Sequence, residues 1–176
     1  MSAQSEKLTV KETALFAMLG ALMFASKIAM EMLPNIHLLG MLIMTFTVVF
    51  RKKALIPLYI YVFLDGLYEG FAMWWIPYLY IWAILWAVTM LLPADMPDKK
   101  KRIAYPLVCC AHGLLFGALY APVQAVMMGL NFKAAVAWII EGLPFDALHA
   151  LGNLVSGFLI VPLSELLQKL KEKANI

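Results

Sequence analysis

Residues 93–102 read PADMPDKKKR: two prolines bracketing an acidic turn, then four consecutive cations. Proline-bounded segments of this kind break periodic structure and mark a loop, and adjacent positive charges are excluded from bilayer hydrocarbon. Apolar stretches run away from this loop on both sides, and the same rhythm recurs along the chain. Twelve of the fourteen Lys and Arg fall in four places: Lys7 and Lys11; Arg51-Lys52-Lys53; Lys99-Lys100-Lys101-Arg102; and Lys169, Lys171 and Lys173. Between successive clusters the apolar sequence is long enough to cross a bilayer out and back. The positive-inside rule then predicts an all-α membrane protein of six transmembrane helices with both termini cytoplasmic.

Composition agrees. The chain of 176 residues is 64% hydrophobic and 14% charged, with a mean hydropathy of +0.83, far from soluble globular usage. Six spans leave little room for an extramembrane domain. The expectation is one integral membrane domain over 1–176, with cytoplasmic loops near 51–53 and 94–102 and a cytoplasmic tail at 164–176. The first apolar stretch has no small-residue cleavage site and reads as a span rather than a leader. The pI near 8.8 reflects the anchoring cations, so a nucleic-acid partner is not expected. Cys109 and Cys110 are adjacent on the reducing side, and neither a disulfide nor a metal site is expected of them.

The predicted spans are 13–33, 37–50, 54–72, 76–92, 103–128 and 143–163. The first ends at the turn signal Pro34-Asn35. The second is short against the about 20 residues a crossing usually takes, so a tilted, broken or partly re-entrant helix is expected. The fifth carries Pro122 as its expected kink. The outer segment 129–142, with FKAAVAWII, reads as a short helix across the mouth of the bundle.

This topology sends most remaining polar residues to the outer half. Asp65 and Glu69 lie four apart on one helical face, and Asp146, His149 and Asn153 make a stripe at i, i+3 and i+7. Ionisable groups inside spans are costly and point to function, although interhelical hydrogen bonding is the competing account. Glu31 stands four residues from Lys27, a spacing for a local ion pair. Trp74, Trp75, Tyr78, Tyr80, Trp82 and Trp138 suit an interfacial aromatic belt, and equally a pocket for a flat polar or cationic ring. His112 reads as a packing histidine toward the cytoplasmic side, with His37 on the opposite side. Ala17, Ala21 and Ala25 repeat every four residues beside Gly20, and Gly113 and Gly117 form a second small-residue face, the spacing that lets helices approach closely.

With its six predicted spans, inside termini and first-span AMLGALMFA (17–25), the chain resembles the substrate-binding S components of energy-coupling factor (ECF) vitamin transporters. The resemblance covers the whole chain in architecture and the alanine motif at residue level. It implies an S-component-like bundle in the plasma membrane of a bacterium, with Ala17, Ala21 and Ala25 docking to a shared transmembrane coupling subunit driven by two cytoplasmic ATPases. It further implies a ligand near the outer surface, held by spans 4 to 6 and by a lid between spans 1 and 2. Mapped onto this sequence, that implicates 34–37, 74–82, 124–131 and 144–153; together with Asp65, Glu69 and Trp138 from the polar and aromatic pattern, the candidate binding residues are Asn35, His37, Asp65, Glu69, Trp74, Trp75, Tyr78, Trp82, Gln124, Asn131, Trp138, Asp146, His149 and Asn153.

The expected ligand is a vitamin-like planar heterocycle: thiamin or its pyrimidine precursor, a pyridoxal-type vitamer, or a queuosine-type deazapurine. A strongly anionic ligand would need more cations than Lys27 and Lys133. No phosphate-cradling Gly-Lys-Ser/Thr loop is present, so ATP hydrolysis would belong to partners, and the chain is expected to be neither an enzyme nor the holder of a cofactor. The rival reading is an autonomous proton-coupled secondary transporter relaying through Asp65, Asp146 and His149. An intramembrane hydrolytic or metal cluster around His149, Asn153 and Glu141 or Asp146 comes third.

Overall fold

A computed structural model describes residues 7–176; residues 1–6 of the single domain expected over 1–176 lie outside the described residues. Eight α-helices follow one another: α1 (Val10–Ala29), α2 (Leu39–Phe50), α3 (Leu55–Glu69), α4 (Tyr78–Leu91), α5 (Asp98–Leu114), α6 (Phe116–Met128), α7 (Phe132–Gly157) and α8 (Ile160–Ala174). Single 3-10 turns at Arg51–Ala54 and Met73–Trp75 lead into α3 and α4. There is no strand among the described residues.

The architecture centres on α2. Eleven of its twelve residues are buried, so this helix is apolar all round because it is surrounded by protein. It packs against α4 and α8 and also touches α1, α5 and α7. Its buried hydroxyl Thr47 Oγ1 donates to the Ile43 carbonyl at 2.7 Å, which satisfies a polar group with no outside partner. Around α2, α1 packs on α3, and α7 packs on both α5 and α6.

Four segments are long and apolar enough to cross a membrane: Val10–Ala29, Met73–Leu91, Asp98–Met128 and Phe132–Gly157. The six-span expectation therefore stands at four by length. The two shortfalls are α2 and α3, of 12 and 15 residues, or about 18 and 22 Å of helix against a hydrocarbon core of about 30 Å. The shortness of the second predicted span is real, and α2 is one unbroken helix.

Two further expectations are corrected. The break in the long fifth segment falls at Leu115, between α5 and α6, and Pro122 lies inside α6. The segment 129–142 is not a separate helix across the bundle mouth. Asn131 caps α7 by accepting the Ala134 N–H at 2.9 Å, and the helix then runs through Gly142 and Pro144 to Gly157. Proline removes one hydrogen bond without forcing an end when the helix is held from the side.

Helix starts and close approaches are written locally. Thr9 and Glu12 form a reciprocal capping box at α1, and Glu12 also pairs with Lys53 at 2.6 Å. Gly20 faces α3, where a Cβ would stand 2.5 Å from Ile60 Cγ2 and 3.0 Å from the Pro57 carbonyl oxygen. Ala17, Ala21 and Ala25 lie on the exposed remainder of α1. One helix thus carries two small-residue faces, of which the glycine face is used inside the bundle.

Candidate functional site

The nine residues after α1 turn the chain back into α2. Pro34 and Asn35 occupy the central positions of a turn closed by the Ile36 N–H donating to the Leu33 carbonyl at 3.2 Å. Asn35 sits at φ 57°, the left-handed region that asparagine tolerates better than other non-glycine residues. Ile36 then rests against α7 where Gly152 leaves room, its Cγ2 3.4 Å from the position a Cβ would take.

Beneath this loop is a cavity of about 190 Å³. It is lined by Met30, Glu31, Leu33, Pro34, Asn35, Ile36 and His37 of the loop, with Lys27, Tyr78, Phe116 and His149 from α1, α4, α6 and α7. Its walls are a lattice of edge-to-face and tilted rings. His37 stands 4.5 Å from His149 and 5.7 Å from Trp82 between ring centroids, and Phe116 lies 4.9 Å from His149. Trp82 does not line the cavity but backs its rings, contacting His37, Tyr78 and Phe116 as well as Tyr61 and His112.

Several polar atoms here are buried without a partner. His37 Nδ1, His149 Nε2, Trp82 Nε1 and His112 Nδ1 make no hydrogen bond within the protein. Of these residues only His37 and His149 line the cavity; buried polar groups are ordinarily paired, so their nitrogens mark where an incoming polar group gains most. His112 is different in part: its Nε2 lies 3.1 Å from the Ile81 carbonyl. Because a carbonyl only accepts, that nitrogen carries the proton and Nδ1 is left as an acceptor. His37 and His112 both abut Trp82, which corrects the expectation that they lie on opposite sides. Among the described residues no group of His, Cys, Asp and Glu has the arrangement of a metal site.

Beside the cavity, Lys27 joins two carboxylates of α3. Its Nζ donates to Asp65 Oδ1 at 2.6 Å and to Glu69, and lies 6.0 Å from the Trp74 ring. The local pair expected with Glu31 is replaced by this triad. Asp65 is fully buried and its Oδ2 has no partner. One ammonium against two carboxylates leaves a net negative charge next to the cavity, so an anionic ligand is disfavoured there.

The other expected residues separate clearly. Asp146 accepts the Gly117 backbone N–H with both oxygens, at 3.1 and 3.2 Å. Gly117 opens α6, whose first N–H groups lack helical partners, so Asp146 serves as a cap supplied from another helix. Asn153 donates to the Cys109 carbonyl at 3.0 Å while its Oδ1 stays unpartnered. Trp75 donates to the Val62 carbonyl at 2.7 Å, and the Trp74 carbonyl accepts from Tyr120 at 2.9 Å. Trp138 stacks on Tyr120, Gln124 reaches Met128 on its own helix, and Asn131 is the α7 cap.

The cavity thus brings together Asn35, His37, Tyr78 and His149, with Trp82 packed behind His37 and Tyr78 and Asp65, Glu69 and Trp74 gathered at Lys27. Gln124, Asn131 and Trp138 do not line it. Sequence reasoning did not single out Phe116 or Tyr61 and assigned His112 to the wrong level.

Comparisons with protein-family models, with curated proteins and with solved structures each find no match.

Proposed function

We propose that this chain is the membrane-embedded substrate-binding subunit of an ATP-driven ECF-type importer, taking up a small planar heterocycle through the cavity under loop 30–38. The observation that carries the reading is the pairing of His37 Nδ1 and His149 Nε2, both buried and unpartnered, on an aromatic cavity wall. A ring with donor and acceptor groups on one edge would satisfy both and stack on Tyr78 or Phe116. At about 190 Å³ the cavity is below the about 300–1,000 Å³ of pockets for drug-sized ligands. It therefore suits a single ring or fused pair, such as an aminopyrimidine or pyridine vitamer or a deazapurine base. The net negative charge at Lys27, Asp65 and Glu69 favours a neutral or cationic form.

In this reading the exposed Ala17, Ala21 and Ala25 form the face that meets a separate coupling subunit, whose two cytoplasmic ATPases supply the work. The basic clusters would face the cytoplasm of a bacterium. The proton-coupled alternative draws less support, because its relay residues are apart in their bonding: Asp65 is held by Lys27 and Asp146 by Gly117.

Purification in detergent from cells grown in rich medium, followed by mass spectrometry of released small molecules, tests the ligand. A stoichiometric heterocycle is expected. An empty protein that shows no thermal shift with water-soluble vitamins or nucleobase-like compounds would overturn the reading. Ala21→Trp tests the docking face, since Ala21 is exposed and the bulk is accommodated. Uptake should be abolished with ligand retention unchanged, and normal uptake would remove the alanine face from the mechanism.

A further inference from the structure

The end of α2 opposite loop 30–38 holds a second, unrelated cavity of about 370 Å³. It lies between the last turn of α2 (Val48, Val49), the start of α5 (Asp98, Lys101, Tyr105), α8 (Val161, Ser164, Glu165, Gln168) and Ala94. One feature marks it as built to hold something polar. Ser164 is only 7% exposed, and its hydroxyl is buried with no hydrogen-bond partner. A buried orphan hydroxyl on a cavity wall has lost its water without recovering the bond. Tyr105, 4% exposed, lines the same space.

The charges on the wall narrow the chemistry. Two carboxylates, Asp98 and Glu165, line it with one cation, Lys101, whose Nζ is 3.6 Å from Asp98 Oδ1. The Gln168 amide nitrogen donates to Glu172, which leaves its carbonyl oxygen as an acceptor. The cavity is therefore rich in acceptors and carries a net negative charge, against a floor of three valines. A compact ammonium that donates three hydrogen bonds fits that set. Lys99, Lys100 and Arg102 follow on the same turns of α5 and are exposed, so an anion attached a few atoms from the ammonium would meet positive charge.

We propose that this cavity binds a primary ammonium, and that its source is the zwitterionic headgroup of an aminophospholipid: ammonium toward Ser164, Glu165 and Asp98, phosphate toward the basic turn. The site rests on the bundle lying in a bilayer and not on the identity of the ligand under loop 30–38. Its occupant would anchor α8 to α5 at the basic end of the bundle.

Native mass spectrometry of the full chain in detergent tests it, with phosphatidylethanolamine and phosphatidylcholine of identical acyl chains. The choline headgroup keeps the charge but donates no hydrogen bond. Retention of phosphatidylethanolamine should be about tenfold tighter, the worth of one charge-assisted hydrogen bond. Glu165→Gln and Ser164→Ala should each erode that preference; the alanine variant also relieves a buried orphan hydroxyl, so folding is preserved. Displacement of the lipid by ethanolamine alone would keep the ammonium site and assign it to a soluble amine. Equal retention of the two lipids, or a preference untouched by both substitutions, would overturn the proposal.

Discussion

The seam between α5 and α7 and the cavity beside it are built on one face of the same helix, and they treat polar groups in opposite ways. Along α7, Asp146 and Asn153 are bonded to α6 and α5, and Gly113 lets the backbones close in until a Cβ would stand 2.9 Å from the Ala150 nitrogen. His149, between them in the same stripe, leaves Nε2 unpartnered. Side chains bonded across the seam are structural, while His149, buried but lining the cavity, is the member of the stripe to which the proposed function gives a ligand. A polar stripe at helical spacing is therefore not one functional unit: each member is decided by what stands opposite it.

That division predicts a ranking of stability effects. The largest belongs to the Lys27 triad, because Lys27→Met would leave Asp65 buried and uncompensated. Breaking a buried pair from one side costs several kcal/mol, and the partial exposure of Lys27 brings the expectation to about 3 kcal/mol. Thermal unfolding in detergent should show it, and Lys27→Met combined with Asp65→Asn should recover most of the loss. A double variant no more stable than the single would break the assignment of the triad. Next is Gly113→Ala, which drives a methyl into the Ala150 backbone and forces the seam apart, at about 1–3 kcal/mol. Asp146→Ala removes a cap contributed across the seam and should lower stability by about 1 kcal/mol, while a ligand under loop 30–38 stays bound.

How much of this was readable from the sequence depends on the direction of the interaction. Features written along the chain were legible: the Pro34-Asn35 turn, a fourth helix expected at 76–92 and found at Tyr78–Leu91, a second ending at Phe50, and the shared face of Asp146, His149 and Asn153. Features set between helices were not. The level of His112 depends on how far α5 slides past α4, and periodicity carries no such register. The break at Leu115 has no proline to announce it and is held by a carboxylate thirty-one residues further on. Lys27 had a candidate at i+4, yet two carboxylates of α3 stand nearer. The continuity of α7 through Gly142 and Pro144 was hidden because local breakers argued against a helix that neighbouring α5 and α6 support.

The smallest stability effect sharpens the comparison most. His149→Phe keeps a ring of similar size against His37 and Phe116, 4.5 and 4.9 Å away in the native protein, and removes the unpartnered nitrogen. Replacing an unsatisfied buried polar group by an apolar one of similar shape is close to neutral. Thermal stability of the empty protein should change by less than about 0.5 kcal/mol. Ligand retention should fall at least about tenfold, because the ring edge loses one of its two partners. The pair of measurements separates His149 from Asp146 on the same helix face: one should lose ligand and keep stability, the other should do the reverse. Were His149→Phe to unfold as readily as Asp146→Ala, the histidine would belong to the seam, and His37 alone would be left to recognise the ligand's polar edge.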